Sequence, residues 1–131
     1  MLALWRAIVT DDASLARGFF FPQAAYRQVK DIGDPDGDYQ NRLLADYATD
    51  IHQLHLQLGP NAPSATFVAF DVPDADADWI QPGAEYNRGS YWRVYGSRIR
   101  YSANGEQGSM PVTSLISWRG EWYVVHLGAI R

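Results

Sequence analysis

The chain has 131 residues, 47% hydrophobic and 14% aromatic, with a formal net charge of −4 and no cysteine. That length and apolar content suit a single domain, residues 1–131, and exclude a chain disordered throughout. The lack of cysteine excludes disulfides, thiolate metal sites and a cysteine nucleophile, and no apolar run approaches the ~20 residues of a membrane-spanning helix.

In chain order, Leu2, Leu4, Trp5, Ile8 and Val9 recur at helical spacing and predict a first helix. Thr10 or Asp11 is the expected cap of a second, short helix through Ala16, closed by Gly18. Phe19-Phe-Phe-Pro is an apolar anchor. Ala24 to Lys30 admits two readings, a first strand or a continued helix. Asp31 to Asp38 reads as a loop, with Asp36 or Asp38 capping the main helix. That helix carries Leu43, Leu44, Tyr47, Ile51, Leu54 and Leu58 on one stripe and stops at Gly59-Pro60.

Ser64 to Val72 alternates like a strand, and Pro73 to Gly89 reads as a polar loop. Tyr91 to Tyr101 is a long strand with a bend or bulge expected at Gly96-Ser97. Asn104-Gly105 is a strong hairpin signal, Gly108 to Trp118 the return strand, Arg119-Gly120 a second tight turn, and Glu121 to Ile130 the last strand. A two-residue turn at Arg119-Gly120 sets Ser117 opposite Trp122, Leu115 opposite Val124 and Thr113 opposite His126. On the other face, Ile116 meets Tyr123, Ser114 meets Val125 and Val112 meets Leu127. The expected architecture is α+β: two or three helices packed on a curved antiparallel sheet of four or five strands.

Charge is unevenly spread. Residues 1–87 hold five basic and thirteen acidic groups, whereas residues 88–131 hold six basic and two acidic ones. This predicts an acidic helical layer beside a basic sheet, with an arginine-bearing face for an anionic ligand as the sharper alternative. So acidic a chain is not expected to bind nucleic acid.

His126 is the candidate acid or base, on a sheet face that would line a pocket in a cone-shaped fold. The competing reading is a half-buried histidine bonded to a neighbour such as Thr113. His52 and His55 stand three apart on the main helix, a spacing that shares a metal only when a third ligand is at hand. Asp74, Asp76, Asp78 and Glu85 fall at acidic positions of a calcium loop, yet Trp79 occupies the place of its glycine. Tyr91, Trp92, Arg93, Tyr95 and Trp122 are the candidate ligand or partner surface, by stacking and bidentate contacts or as a homodimer face of the sheet. No phosphate loop, dinucleotide fingerprint or nucleophile elbow is present, so no cofactor is expected.

The order of helices, the segment Phe19-Phe-Phe-Pro-Gln-Ala-Ala-Tyr, a further helix and then a curved antiparallel sheet resembles the cystatin-like cone of the nuclear-transport-factor-2-like superfamily. Leu4-Trp-Arg-Ala-Ile resembles that superfamily's first helix, and Trp118-Arg-Gly-Glu-Trp-Tyr-Val-Val its last hairpin. The long helix from Asp38 to Leu58 departs from the usual order if Tyr26 to Lys30 is not a strand. Phe20-Phe-Pro-Gln-Ala-Ala-Tyr-Arg-Gln-Val-Lys and Ile116-Ser-Trp-Arg-Gly-Glu-Trp-Tyr-Val-Val-His-Leu-Gly resemble a group of uncharacterised actinobacterial proteins, many exported or lipid-anchored.

The resemblance implies a non-catalytic binding or interaction domain of the cell envelope, for a chain that lacks its leader. If instead no leader has been removed, the expected location is the cytoplasm, since Met1-Leu-Ala-Leu-Trp-Arg is no secretory signal. The alternatives are an isomerase- or cyclase-type enzyme with a hydrophobic pocket, and a calcium-stabilised domain. The expected partners are a second copy of the chain or a small apolar or anionic ligand.

Overall fold

The computed structural model describes residues 2–130. Helix α1 (Leu2–Thr10) buries Leu4, Trp5, Ala7 and Ile8, positions one helical turn apart. Asp11 then takes a left-handed backbone, φ 56°, and turns the chain. Asp12 caps the 3₁₀ turn Ala13–Ala16 by accepting from Ser14 N, one residue beyond the expected cap.

The ambiguous segment is helical. Helix α2 (Gln23–Val29) buries Ala25, Tyr26 and Val29. It opens at Lys30, whose extended backbone forms a one-residue antiparallel bridge with Asn87.

The main helical rod starts earlier than Asp36 or Asp38. Asp34 accepts from Gly37 N and caps α3 (Pro35–Asp38), with Pro35 at the first turn where its missing N–H costs nothing. A π-helical segment, Tyr39–Leu43, follows, and α4 (Leu44–Leu58) continues from it. Gly59, φ 59°, ends the helix where a left-handed residue is needed.

The sheet is antiparallel throughout, in the order β1-β3-β4-β5, with β2 beside β3. Its strands are β1 (Thr66–Asp71), β2 (Asp78–Ile80), β3 (Tyr91–Ala103), β4 (Glu106–Trp118) and β5 (Glu121–His126). The expected loop Pro73–Gly89 therefore contains a short strand. β2 and β1 share one edge of β3, pairing with Tyr91–Arg93 and with Arg98–Ser102. Both hairpin turns have positive φ at their two central residues, Asn104-Gly105 and Arg119-Gly120, the geometry that suits twisted strands.

Gly96 has φ 85°, yet the register of β3 against β4 runs unbroken past it. The bulges lie elsewhere, between Phe67 and Ala69 on β1 and at Ser114/Leu115 against β5.

The sheet is strongly curled. Phe19 O accepts from Val124 N along the free edge of β5. The Phe19 ring nevertheless meets Phe70 of β1, on the other edge, at 5.9 Å. On a flat sheet the intervening spacings would separate those backbones by roughly 19 Å.

The core lies between the curled sheet and the helices and includes Leu4, Ile8, Phe20, Tyr47, Ile51, Ile99, Met110 and Leu115. Phe20 stacks on Tyr47 at 3.7 Å between centroids, and Tyr47 OH donates to Val124 O at 2.7 Å. The last helix is thereby fastened to the last strand.

Candidate functional site

A cavity of about 480 Å³ opens between the helices and the near end of the sheet. Its sheet wall is Arg93 and Tyr95 of β3, Ser114 and Ile116 of β4, and Val125 and His126 of β5. Lys30, at the end of α2, and Arg42, in the π-helical segment, face that wall. A smaller lobe of about 220 Å³ adjoins it, shares Lys30, Arg42 and His126, and reaches Tyr26 and Asp38.

Three local features put these side chains together. The wide π turn carries Arg42, and such turns recur at functional sites. The bridge Lys30–Asn87 fixes the loop 81–90 against α2, with Asp31 N donating to Tyr86 O and Arg88 N to Val29 O, both at 2.6 Å. The bulge at Ser114/Leu115 changes the expected pairing: His126 lies opposite Ser114, not Thr113, and Val125 is the extra residue. Sequence spacing alone misses this shift, because nothing in Val124-Val125-His126 marks a bulge.

Two polar clusters line the cavity. In one, Arg42 donates from Nε to Asp38 Oδ1 at 2.6 Å and from Nη2 to Asp38 Oδ2 at 2.7 Å, while Tyr26 OH donates to the same carboxylate. The Arg42 hydrogen bonds hold the Asp38 carboxyl below its usual range, and burial raises the Tyr26 hydroxyl. In the other, Tyr91 OH donates to Glu85 Oε1 at 2.6 Å, and Arg93 pairs with the other Glu85 oxygen. Burial pushes the Tyr91 hydroxyl up to about 12. The Arg93 guanidinium also lies over the Tyr95 ring, 4.5 Å from its centroid.

Lys30 stands between the clusters and, among the described residues, donates only to neutral oxygens, Glu85 O at 3.2 Å and Tyr91 OH at 3.4 Å. Burial lowers its pKa, and the Arg42 charge adds to the effect, against a smaller opposing effect of Asp38. His126 is half-buried and makes no hydrogen bond to another described residue. Burial, then the charges of Arg42 and Lys30, lower its pKa, against smaller opposing effects of Asp46 and Asp50. The imidazole is therefore neutral near pH 7.

The candidate surface of aromatic and arginine residues divides. Alternation along β3 turns Tyr91, Arg93 and Tyr95 to the cavity and Trp92 to the other side. Trp92, 46% exposed, packs edge-on against Trp79 of β2, 48% exposed, at 5.2 Å. Trp122 is partly buried against the core and lines no part of the cavity. Lys30, Arg42 and Tyr26 escape the sequence reading, since their meeting depends on the π turn and on the bridge to Asn87.

The four carboxylates of the calcium reading do not converge. Asp74 and Asp76 lie in a 3₁₀ turn, Asp78 begins β2 with its carboxylate 3.6 Å from Arg93, and Glu85 belongs to the Tyr91 cluster. Among the described residues no three histidine or acidic groups are placed to hold a metal. His52 and His55 instead tie α4 to the first helix and its turn: His52 Nδ1 lies 2.7 Å from Asp11 Oδ2, and His55 Nδ1 lies 2.9 Å from Ile8 O.

A wider groove of about 740 Å³ runs between α4 and Leu127–Ala129. Among the described residues that line it the one charged group is Asp50, which accepts from Gly128 N at 3.0 Å, so they gather less chemistry than those of the cavity at His126. No helix among the described residues is long and apolar enough to cross a membrane. Comparison with protein families, with curated proteins and with solved structures gives no match.

Proposed function

We propose that this is a non-catalytic binding domain whose ligand is a small molecule held between the helices and the curled sheet. One observation supports the reading best: Lys30, Arg42, Arg93 and His126 converge on a cavity whose sheet wall also carries Ile116 and Val125. Such sites combine an apolar lining with a few placed polar groups. The resemblance to the nuclear-transport-factor-2-like cone, from whose usual order the helical Gln23–Val29 departs, agrees with a ligand in that place, and the actinobacterial resemblance extends the proposal to the cell envelope. A ligand reading also accounts for Tyr91, Arg93 and Tyr95 facing the cavity, where a homodimer formed through the sheet would leave them unused.

The test is a ligand-detected NMR fragment screen on the wild-type chain and on Ser114→Phe, which adds a phenyl ring to the cavity wall. Binders of the wild type that lose affinity for a folded Ser114→Phe are expected. Binders indifferent to that substitution, or none at all, would contradict the proposal.

A second reading rests on His126 itself. A neutral imidazole without a described hydrogen-bond partner, inside a cavity beside Lys30, is suited to move a proton to or from a bound ligand. In that reading the domain is a small-molecule enzyme of the isomerase or cyclase type, with His126 as general base. His126→Ala would abolish turnover and leave the fold intact; unchanged turnover would remove His126 from that role.

A further inference from the structure

We propose that the ligand carries one carboxylate, seated between the Lys30 ammonium and the His126 imidazole, with an apolar body lying along Ile116, Val125 and Ile130. This inference rests on the cavity being a ligand site and names the class of ligand.

The argument starts from which charges in the cavity already have partners. Asp38 is engaged by Arg42 and Tyr26, and Glu85 by Arg93 and Tyr91. Both lining carboxylates are therefore neutralised at close range by groups other than Lys30. Lys30 forms no ion pair with a described residue, and its two acceptors, Glu85 O and Tyr91 OH, leave one of its three N–H donors over. Asp38 acts on Lys30 only from beyond ion-pair distance, so a half-buried ammonium is left with no counter-ion in contact, which is costly unless something else supplies one. His126, which makes no hydrogen bond to another described residue, borders the same two lobes as Lys30.

Charge selects the class. Among the described lining residues, Arg42 and Arg93 each meet a carboxylate, Asp38 and Glu85, whereas Lys30 meets none within ion-pair distance. A single carboxylate matches that one cation, and a second cation would meet repulsion. The apolar part of the lining selects the rest of the ligand, because Ile116 and Val125 of the sheet wall and Ile130 beyond β5 offer apolar surface and no further donors.

Carboxylate binding also changes the titration of His126. The groups acting on it are Arg42, Asp46 and Asp50 from the long helical rod and Lys30 from the end of α2. Glu85 and Tyr86 of the loop and Tyr26 of α2 border the same space. An added anion offsets Arg42 and Lys30, so the imidazole gains a proton more easily in the complex.

The experiment compares hexanoate with hexanol by amide-shift titration of the wild type, Lys30→Met and Lys30→Arg. The expected result is hexanoate binding at least about tenfold tighter than hexanol. The preference should disappear in Lys30→Met and persist in Lys30→Arg. Equal affinity of the two probes, or a preference that survives Lys30→Met, would overturn the carboxylate and leave the cavity as a ligand site. Failure of both probes to shift cavity amides would overturn the ligand site as well. A readout independent of variant folding is the His126 ring titration of the wild type. Its midpoint should rise with hexanoate and stay fixed with hexanol; a midpoint unmoved by saturating hexanoate would contradict the inference.

Discussion

At the scale of single residues, His126 has the most direct observable. Burial and two neighbouring cations keep its proton affinity below that of an exposed histidine. Its ring titration, followed by NMR, should therefore have a midpoint below 6.5. The sign for stability follows from linkage. The unfolded chain binds the proton first, so the free energy of unfolding falls as pH drops from 6.5 toward the folded midpoint. His126→Gln should flatten that part of the pH–stability curve, and an equally steep slope in the variant would refute the assignment. Asn87 is the second residue of consequence. It is 2% exposed, accepts from Glu85 N, and donates to Gln81 O and Gly89 O. Asn87→Ala leaves those loop groups without partners and should cost about 1–3 kcal/mol. Hydrogen exchange should then quicken in the loop 81–90 before it does in the sheet.

At the scale of elements, the strands were more legible than their irregularities. Asn104-Gly105 and Arg119-Gly120 mark both turns, because only a few residue types adopt the positive φ that each requires. The pairs nearest the second turn, Ser117–Trp122 and Leu115–Val124, follow from it directly. The pairing beyond it does not, since the bulge at Ser114/Leu115 leaves no mark in residue type. The segment at Tyr26–Lys30 stayed ambiguous in sequence because its helical face and its strand-like alternation share the same residues. Its helix is decided by tertiary contact, with Tyr26 and Val29 buried. The outer hairpin offers a further prediction. A Cβ on Gly108 would lie 2.5 Å from the Tyr101 ring, which itself stacks on Trp5 of α1 at 5.6 Å. Gly108→Ala must displace that ring and should destabilise the chain by about 1–3 kcal/mol in urea unfolding.

At the scale of the molecule, the α+β architecture follows from helical periodicity in the first half and alternation in the second. The cavity does not, because it needs the curl that brings Phe19 to Phe70 and the π turn that carries Arg42. The charge asymmetry between the halves has its counterpart across the long-range ion pairs Arg88–Asp31 and Arg100–Asp71 and inside the cavity, where Arg93 of the basic segment meets Glu85. The central claim is that this cavity, and not the Trp79–Trp92 side of the sheet, receives the ligand. Its most direct test is amide-shift mapping of ¹⁵N-labelled protein titrated with the binders from a fragment screen. The account predicts perturbations clustered at Lys30, Glu85, Ser114 and His126. Perturbations confined to Trp79 and Trp92, with the cavity amides unmoved, would contradict it.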